Sequence, residues 1–224
     1  MPISRKVAKV WQVISVKCLA GYTVMGKINT IIRPMNSDDI PIIAGWFSDF
    51  PDISMFDRSL PIPVGRDFVE ESWKPAIQYN DPPKAFWYVA ENEAKQPMGI
   101  CGLQGINYIH GDAVTPIFVA KDFRNKGLAM LLMNAMINLA FSSLRLNRLS
   151  TMYRADNEAS KKLCQLLGFT IEGKIRQGWY SGGRYGDIVM VGLLKSEWAE
   201  TCRAIESKLE NIAFDQANGF DPNG

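Results

Sequence analysis

Residues 113–119 read AVTPIFV, residues 124–129 read RNKGLA, and an apolar run then continues to Phe141. A strand, a cationic turn and a helix are predicted in immediate succession. The first N–H groups of a helix lack intrahelical partners and carry a partial positive charge, so an anion placed there gains hydrogen bonds and a favourable field. Gly127 lets the backbone approach closely, and the small Ala129 leaves the helix start uncrowded. Arg124 and Lys126 add formal charge. The turn suits a pyrophosphate, although R-x-x-G-x-A taken alone fits a solvated surface turn equally well. Pro116 is the second anomaly. It donates no ladder hydrogen bond, so inside a strand it predicts a bulge or a splay of the sheet.

On the N-terminal side, residues 85–91 (AFWYVAE) and 96–109 (QPMGICGLQGINYI) read as a hairpin. Residues 30–34 form a short β-like run. Ser37 is a candidate N-cap for a helix over NSDDIPIIAGWF, with Pro41 near its start. Residues 47–65 are proline-rich and read as a loop. RDFVEESWKPAI places Phe68, Val69 and Trp73 at helical spacing and ends or bends at Lys74-Pro75. On the C-terminal side, RLSTMYR reads as a strand. NEASKKLCQLLGF reads as a helix capped by Asn157 and closed by Gly168, with Ala159, Leu163, Leu166 and Leu167 turned inward. TIEGKIRQGWY and YGDIVMVGLL read as antiparallel strands joined at Ser181-Gly182-Gly183, and residues 195–214 as an amphipathic helix. The order β-α-α-β-β-β-α-β-α-β-β-α mixes hairpins with crossovers, which requires a mixed sheet.

The chain has 224 residues, a net charge of +2 and mixed signs throughout. That length holds a sizeable core, and that charge gives no nucleic-acid footprint. Cys18, Cys101, Cys164 and Cys202 form no CxxC pair, and His110 is the only histidine, so no metal site is expected. Free thiols fit a reducing, cytoplasmic compartment. Residues 1–29 are expected to be an N-terminal extension, since Lys9 and Lys17 interrupt what would otherwise suggest a signal peptide. The apolar stretch Leu128–Leu144 contains Asn134, Asn138, Ser142 and Ser143 and is short for a membrane span. The expected organisation is an extension over 1–29, one domain over 30–200, and a C-terminal helix and tail over 201–224.

RNKGLA, then NEASKKLCQLLGFTIEGKIR, then YGDIVMVGLLKSEW together resemble the GNAT superfamily of acetyl-CoA-dependent N-acetyltransferases. Within it they are most similar to the group that acetylates ribosomal-protein N-termini and polyamines. The resemblance spans roughly residues 30 to 200. It implies an α+β fold, an α/β/α sandwich whose central, mostly antiparallel sheet of about seven strands is splayed in the middle. It also implies that acetyl-CoA is the co-substrate. The amides of Arg124, Asn125, Lys126, Gly127, Leu128 and Ala129 would hold its pyrophosphate, and an N–H near Phe118 or Val119 the thioester carbonyl. Asn157 would touch the pantetheine arm, and Ser160 would be the general acid.

The acceptor implied is a primary amine: a protein N-terminus, a polyamine or another small amine. Some relatives carry a glutamate at about the position of Trp179, where this chain has no acid. Asp187 is a weak base candidate, Glu172 a weaker one, and water-mediated deprotonation the preferred route. Asp49, Asp52, Asp57, Asp67, Glu70 and Glu71, with Phe50, Phe56 and Trp73, mark either an acceptor site or a solvated acidic face. The competing function is a non-catalytic CoA-binding module that serves a partner, and a homodimer fits either reading.

Overall fold

The computed structural model describes residues 30–48, 50–56, 65–78 and 80–202, with backbone only at 50–52. The expected N-terminal extension and most of the C-terminal helix and tail lie outside the described residues. Eight strands form one sheet: β1 (Ile31–Pro34), β2 (Ala85–Glu91), β3 (Pro97–Asn107), β4 (Asp112–Val114), β5 (Ile117–Val119), β6 (Arg148–Arg154), β7 (Thr170–Ser181) and β8 (Arg184–Leu194). Their order is β1-β2-β3-β4-β6-β8-β7, with β5 paired to β3. The β4–β6 pair is parallel and the others are antiparallel. About seven strands are expected from the sequence, and the eighth arises because Pro116 divides the fourth one into β4 and β5.

The helices are α1 (Ile40–Trp46), α2 (Phe50–Phe56), α3 (Arg66–Trp73), α4 (Leu128–Asn138), α5 (Glu158–Leu166) and the start of α6 over residues 195–202. They lie on both faces of the sheet. Period two sorts β2 between them: Tyr88 and Ala90 pack with Leu132, Met136 and Ile137 of α4, while Trp87 and Val89 pack with Ile43, Val69 and Trp73. The α4 helix continues as a π-turn over Leu139–Ser143, so the whole apolar run is helical.

Three local expectations are corrected. The helix entry is capped by Asn36, whose side chain accepts from Asp38 N–H while Asp39 reaches back in a capping box, and Ser37 is not the cap. Residues 50–56 form α2, where proline density suggested a loop. The inward stripe of α5 is Ser160, Leu163, Cys164 and Leu167, whereas Ala159 and Leu166 are exposed. Both sets have helical spacing, and the packed face decides between them. At the end of α5, Phe169 N–H bonds Cys164 O and Gly168 N–H bonds Gln165 O, with Gly168 at φ +80, which is a Schellman closure.

β7 and β8 turn through Gly182 (φ +58) and Gly183 (φ +76), the two left-handed positions a two-residue hairpin turn requires. Cys101 and Cys164 are free and buried. Cys202 is disulfide-bonded, so the expectation of uniformly free thiols does not hold.

The β3–β5 contact leaves no room for a side chain at Gly99, where a Cβ would stand 2.6 Å from the Phe118 carbonyl oxygen. Gly99→Ala is expected to cost roughly 1–3 kcal/mol by overpacking against backbone. A thermal melt should show Tm lowered by several degrees.

Candidate active site

The sheet opens at Pro116. Before it, Thr115 N–H bonds the Ser150 carbonyl at 2.9 Å, so β4 and β6 are still joined. After it, β5 stays on β3 while β6 keeps its other edge on β8, and no ladder connects β5 to β6 among the described residues. Gly102 N–H bonds Pro116 O, and Ala120 N–H bonds Met98 O. By alternation Phe118 also faces β3, and the N–H and C=O groups of Ile117 and Val119 face the gap. The Phe118 N–H is therefore spent in the ladder, and the Ile117 and Val119 amides are the β5 donors left facing the gap. Phe118 contributes its buried ring, packed against Trp46, Phe47 and Phe56.

A cleft of about 960 Å³ passes through this opening. Thr151 and Tyr153 of β6 and Asn157 and Ser160 of α5 line it on one face. Phe56, Phe68, Trp73 and Trp87 line the other, together with Trp179. Lys84 is the one charged side chain among the described lining residues. Asp67, Glu70 and Glu71 do not line it. Glu70 pairs with Arg66 and Glu71 with Lys74, which makes them a solvated face. Asp49 and Asp57, and the side chains of Phe50 and Asp52, lie outside the description.

The turn ahead of α4 has two left-handed residues, Asn125 (φ +60) and Gly127 (φ +83). Met130 and Leu131 N–H both bond the Gly127 carbonyl, and no side chain caps the helix. The Leu128 and Ala129 amides thus stand at an uncapped helix mouth. Neither cation extends freely outward. The Arg124 Nε donates to Val119 O at 3.0 Å with its guanidinium 5.7 Å from the Phe118 ring centroid. The Lys126 Nζ donates to Asp122 O at 2.8 Å over the Phe123 ring.

Asn157 caps α5 by accepting from Ser160 N–H at 3.1 Å. The Ser160 hydroxyl is half-buried and makes no hydrogen bond with a described residue. Tyr153, which sequence reasoning passed over, has a buried ring and a hydroxyl equally without a partner among described residues. Burial raises its pKa, so it stays protonated. Its only sequence signal was alternation in RLSTMYR, which puts Thr151 and Tyr153 on one face.

Asp187 and Glu172, the base candidates, are not among the residues that line the cleft. Asp187 takes Lys174 Nζ at 2.7 Å and Gln177 N–H at 2.8 Å, pinning the bulge where Gln177 adopts φ +51. Those two contacts, Lys174 first, lower its pKa, the wrong direction for a base. Glu172 occupies a second β7 bulge and forms a two-point pair with Arg148, which lowers its pKa as well. Trp179 is buried, and its Nε1–H donates to the Ser54 carbonyl at 2.8 Å, tying β7 to α2.

A sequence model of the acetyltransferase (GNAT) domain matches residues 29–170. The chain belongs to the GNAT acetyltransferase family. Among relatives, it is 34% identical over 100 residues to Bacillus subtilis YdaF, provisionally named a ribosomal N-acetyltransferase, covering 45% of this chain and 55% of that one. It is 30% identical over 111 residues to the spermidine N(1)-acetyltransferase of Vibrio cholerae, covering 50% and 64%. The chain thus spans between half and two thirds of these two relatives' lengths. The crystal structure of the Vibrio cholerae spermidine N-acetyltransferase with CoA and spermine has a TM-score of 0.68 at 24% identity, covering 76% of this chain and 98% of that one. The likeness establishes the GNAT fold. Among described residues no helix is long and apolar enough to cross a membrane, and no acid, cysteine or histidine cluster could hold a metal.

Two outcomes follow from these contacts. Trp179→Phe keeps the ring but leaves the buried Ser54 carbonyl without this donor, an expected loss of about 1 kcal/mol in denaturant unfolding. Because the folded state depresses the Asp187 pKa, its stabilisation is present above the ordinary carboxylate range and is lost as pH falls through the depressed value. In Asp187→Asn this acid-side dependence of Tm should shrink.

Proposed function

We propose that the protein is an acetyl-CoA-dependent N-acetyltransferase that moves the acetyl group directly to a primary amine within a ternary complex. The observation that carries this is the sheet opening: a cleft through the sheet, with the outward edge of β5 at Ile117 on its wall and an uncapped helix mouth in the same strand–turn–helix segment. Family membership and the fold likeness support it.

The residues fit the co-substrate. The Leu128 and Ala129 amides, with the left-handed Asn125 and Gly127, suit a pyrophosphate through hydrogen bonds and the helix field. The outward amides of Ile117 and Val119 suit an extended amide-bearing arm added alongside β5. Arg124 braces that edge by closing the Val119 carbonyl, and Lys126 supplies charge beside the turn. Asn157 stands at the mouth of α5 with its amide nitrogen open. Acetyl-CoA supplies the activated acyl group as a thioester.

In this reading Val119 N–H donates to the carbonyl oxygen as negative charge grows there under attack by the amine. The Ser160 hydroxyl can protonate the departing sulfur, and Tyr153 is the second hydroxyl on that wall. The ammonium form of an alkylamine dominates near neutrality, so a proton must leave before attack. No described carboxylate lines the cleft, which favours transfer to water. The solvated Asp187 and Glu172 pairs leave the reaction untouched in this account. A cytoplasmic location and self-association belong to the same proposal.

Thiol release from acetyl-CoA, followed across a panel of amines, tests the assignment. Amine-dependent release is expected, and acetyl-CoA binding without release for any amine would favour the partner-binding module. Ser160→Ala should lower kcat about 100-fold while calorimetry shows acetyl-CoA affinity near wild type. A larger loss in Tyr153→Phe would move the acid role to that residue. The pH–rate profile should keep its basic limb in Asp187→Asn and Glu172→Gln, and losing it in either variant would contradict water-mediated deprotonation.

A further inference from the structure

A second pocket, of about 440 Å³, adjoins the cleft at Met55. Its wall includes Ser54 and Met55 of α2, Arg154 and Asp156 at the end of β6, and Arg184 and Tyr185 just past the β7–β8 turn. Met55 lines both cavities. Trp179 lines the cleft and donates to the Ser54 carbonyl, while Ser181 donates to the Ser54 hydroxyl at 2.8 Å. The two spaces are therefore joined by a hydrogen-bonded seam between α2 and β7.

The charge on the described walls is one-sided. The Arg154 side chain is mostly buried and its guanidinium takes Asp156 at two points. That carboxylate is the only one on the second pocket's described wall, and it is already committed. Arg184 is exposed and has no ion pair or hydrogen bond among the described residues. Lys84 is the one charged group described on the cleft wall. Among the described residues, Lys84 on the cleft wall and Arg154 and Arg184 on the second pocket's wall are three cations to the one anion, Asp156.

Resting on the acetyl-transfer reading, we propose that this pocket selects acceptors that carry a carboxylate near the reacting amine, as in a peptide with an acidic second residue. A guanidinium matches a carboxylate in two-point geometry, which a lysine ammonium does not. Placed on a hairpin tip beside Gly182 and Gly183, Arg184 can meet a carboxylate while the amine enters the cleft past Trp179. A polyamine would bring its second ammonium into the same region, against like charge and with no described free carboxylate to receive it. The apolar cleft then holds the reacting end, and the second pocket reads the substituent.

The test compares peptides beginning Ser-Glu, Ser-Gln and Ser-Lys, with spermidine and free glutamate, by kcat/KM and by calorimetry in the presence of CoA. The wild type is expected to prefer Ser-Glu to Ser-Lys. Arg184→Gln should lower the Ser-Glu to Ser-Gln ratio about 5- to 10-fold, through KM, an effect moderated by the exposure of the group. Arg184→Glu should turn the preference toward Ser-Lys. Free glutamate used as well as Ser-Glu would uphold the carboxylate subsite and assign it to small acids. Preference for spermidine or Ser-Lys, or a ratio unchanged in Arg184→Gln, would overturn the proposal. If no amine is acetylated, binding decides. Tighter Ser-Glu binding lost in Arg184→Gln upholds the subsite while the transfer reading alone fails, and indifferent binding overturns both.

Discussion

The architecture of the site depends on one missing hydrogen-bond donor. Pro116 has no N–H to give to a ladder, so the strand that contains it cannot bridge β3 and β6 along its whole length. Its first half, β4, joins both neighbours, and its second half, β5, keeps only β3. In a closed sheet the outward amides of Ile117 and Val119 would pair with β6. Here they stand at the edge of a gap, where a buried unpaired amide is costly unless something completes it. The opening therefore leaves a half-buried edge to which a ligand with amide-like groups of its own can add.

The two faces of the sheet divide the remaining work. On one face α4 and α5 pack into the larger core, and the entry of α5 brings Asn157 to the cleft. On the other, α1 and α3 build a second core rich in aromatic rings, with Phe118 at its centre among Trp46, Phe47 and Phe56. A cleft that crosses the sheet between those cores can hold one substrate from each side and keep both rigid. Carboxylates that might have served as bases are used instead to fasten irregular backbone. Asp187 holds the Gln177 bulge, Glu172 holds Arg148, and Asp39 with Glu91 holds Arg33 beside β1.

Much of this was legible in the sequence because it was written in local chemistry. Pro116 inside an apolar run, Gly127 after a cationic turn, Asn157 before a helical stripe and Gly182-Gly183 between two strands each have one dominant backbone consequence. What escaped depended on tertiary packing. The α5 stripe could begin at Ala159 or Ser160 with equal spacing, and only contact with the sheet selects Ser160. Residues 50–56 hid a helix behind a proline-rich context, and Trp179 Nε1–H reaching Ser54 across 125 positions has no sequence signature. The outward face of Val119, rather than Phe118, follows from a β3–β5 register that composition does not encode.

Amide hydrogen exchange with and without CoA tests the central claim most directly, since it reads the opened edge and the helix mouth at once. Slowed exchange at Val119, Leu128 and Ala129 on CoA addition, with the β3-facing Phe118 amide protected in both states, is the predicted result. Protection confined to other parts of the sheet, or a Val119 amide already protected without CoA, would contradict the account.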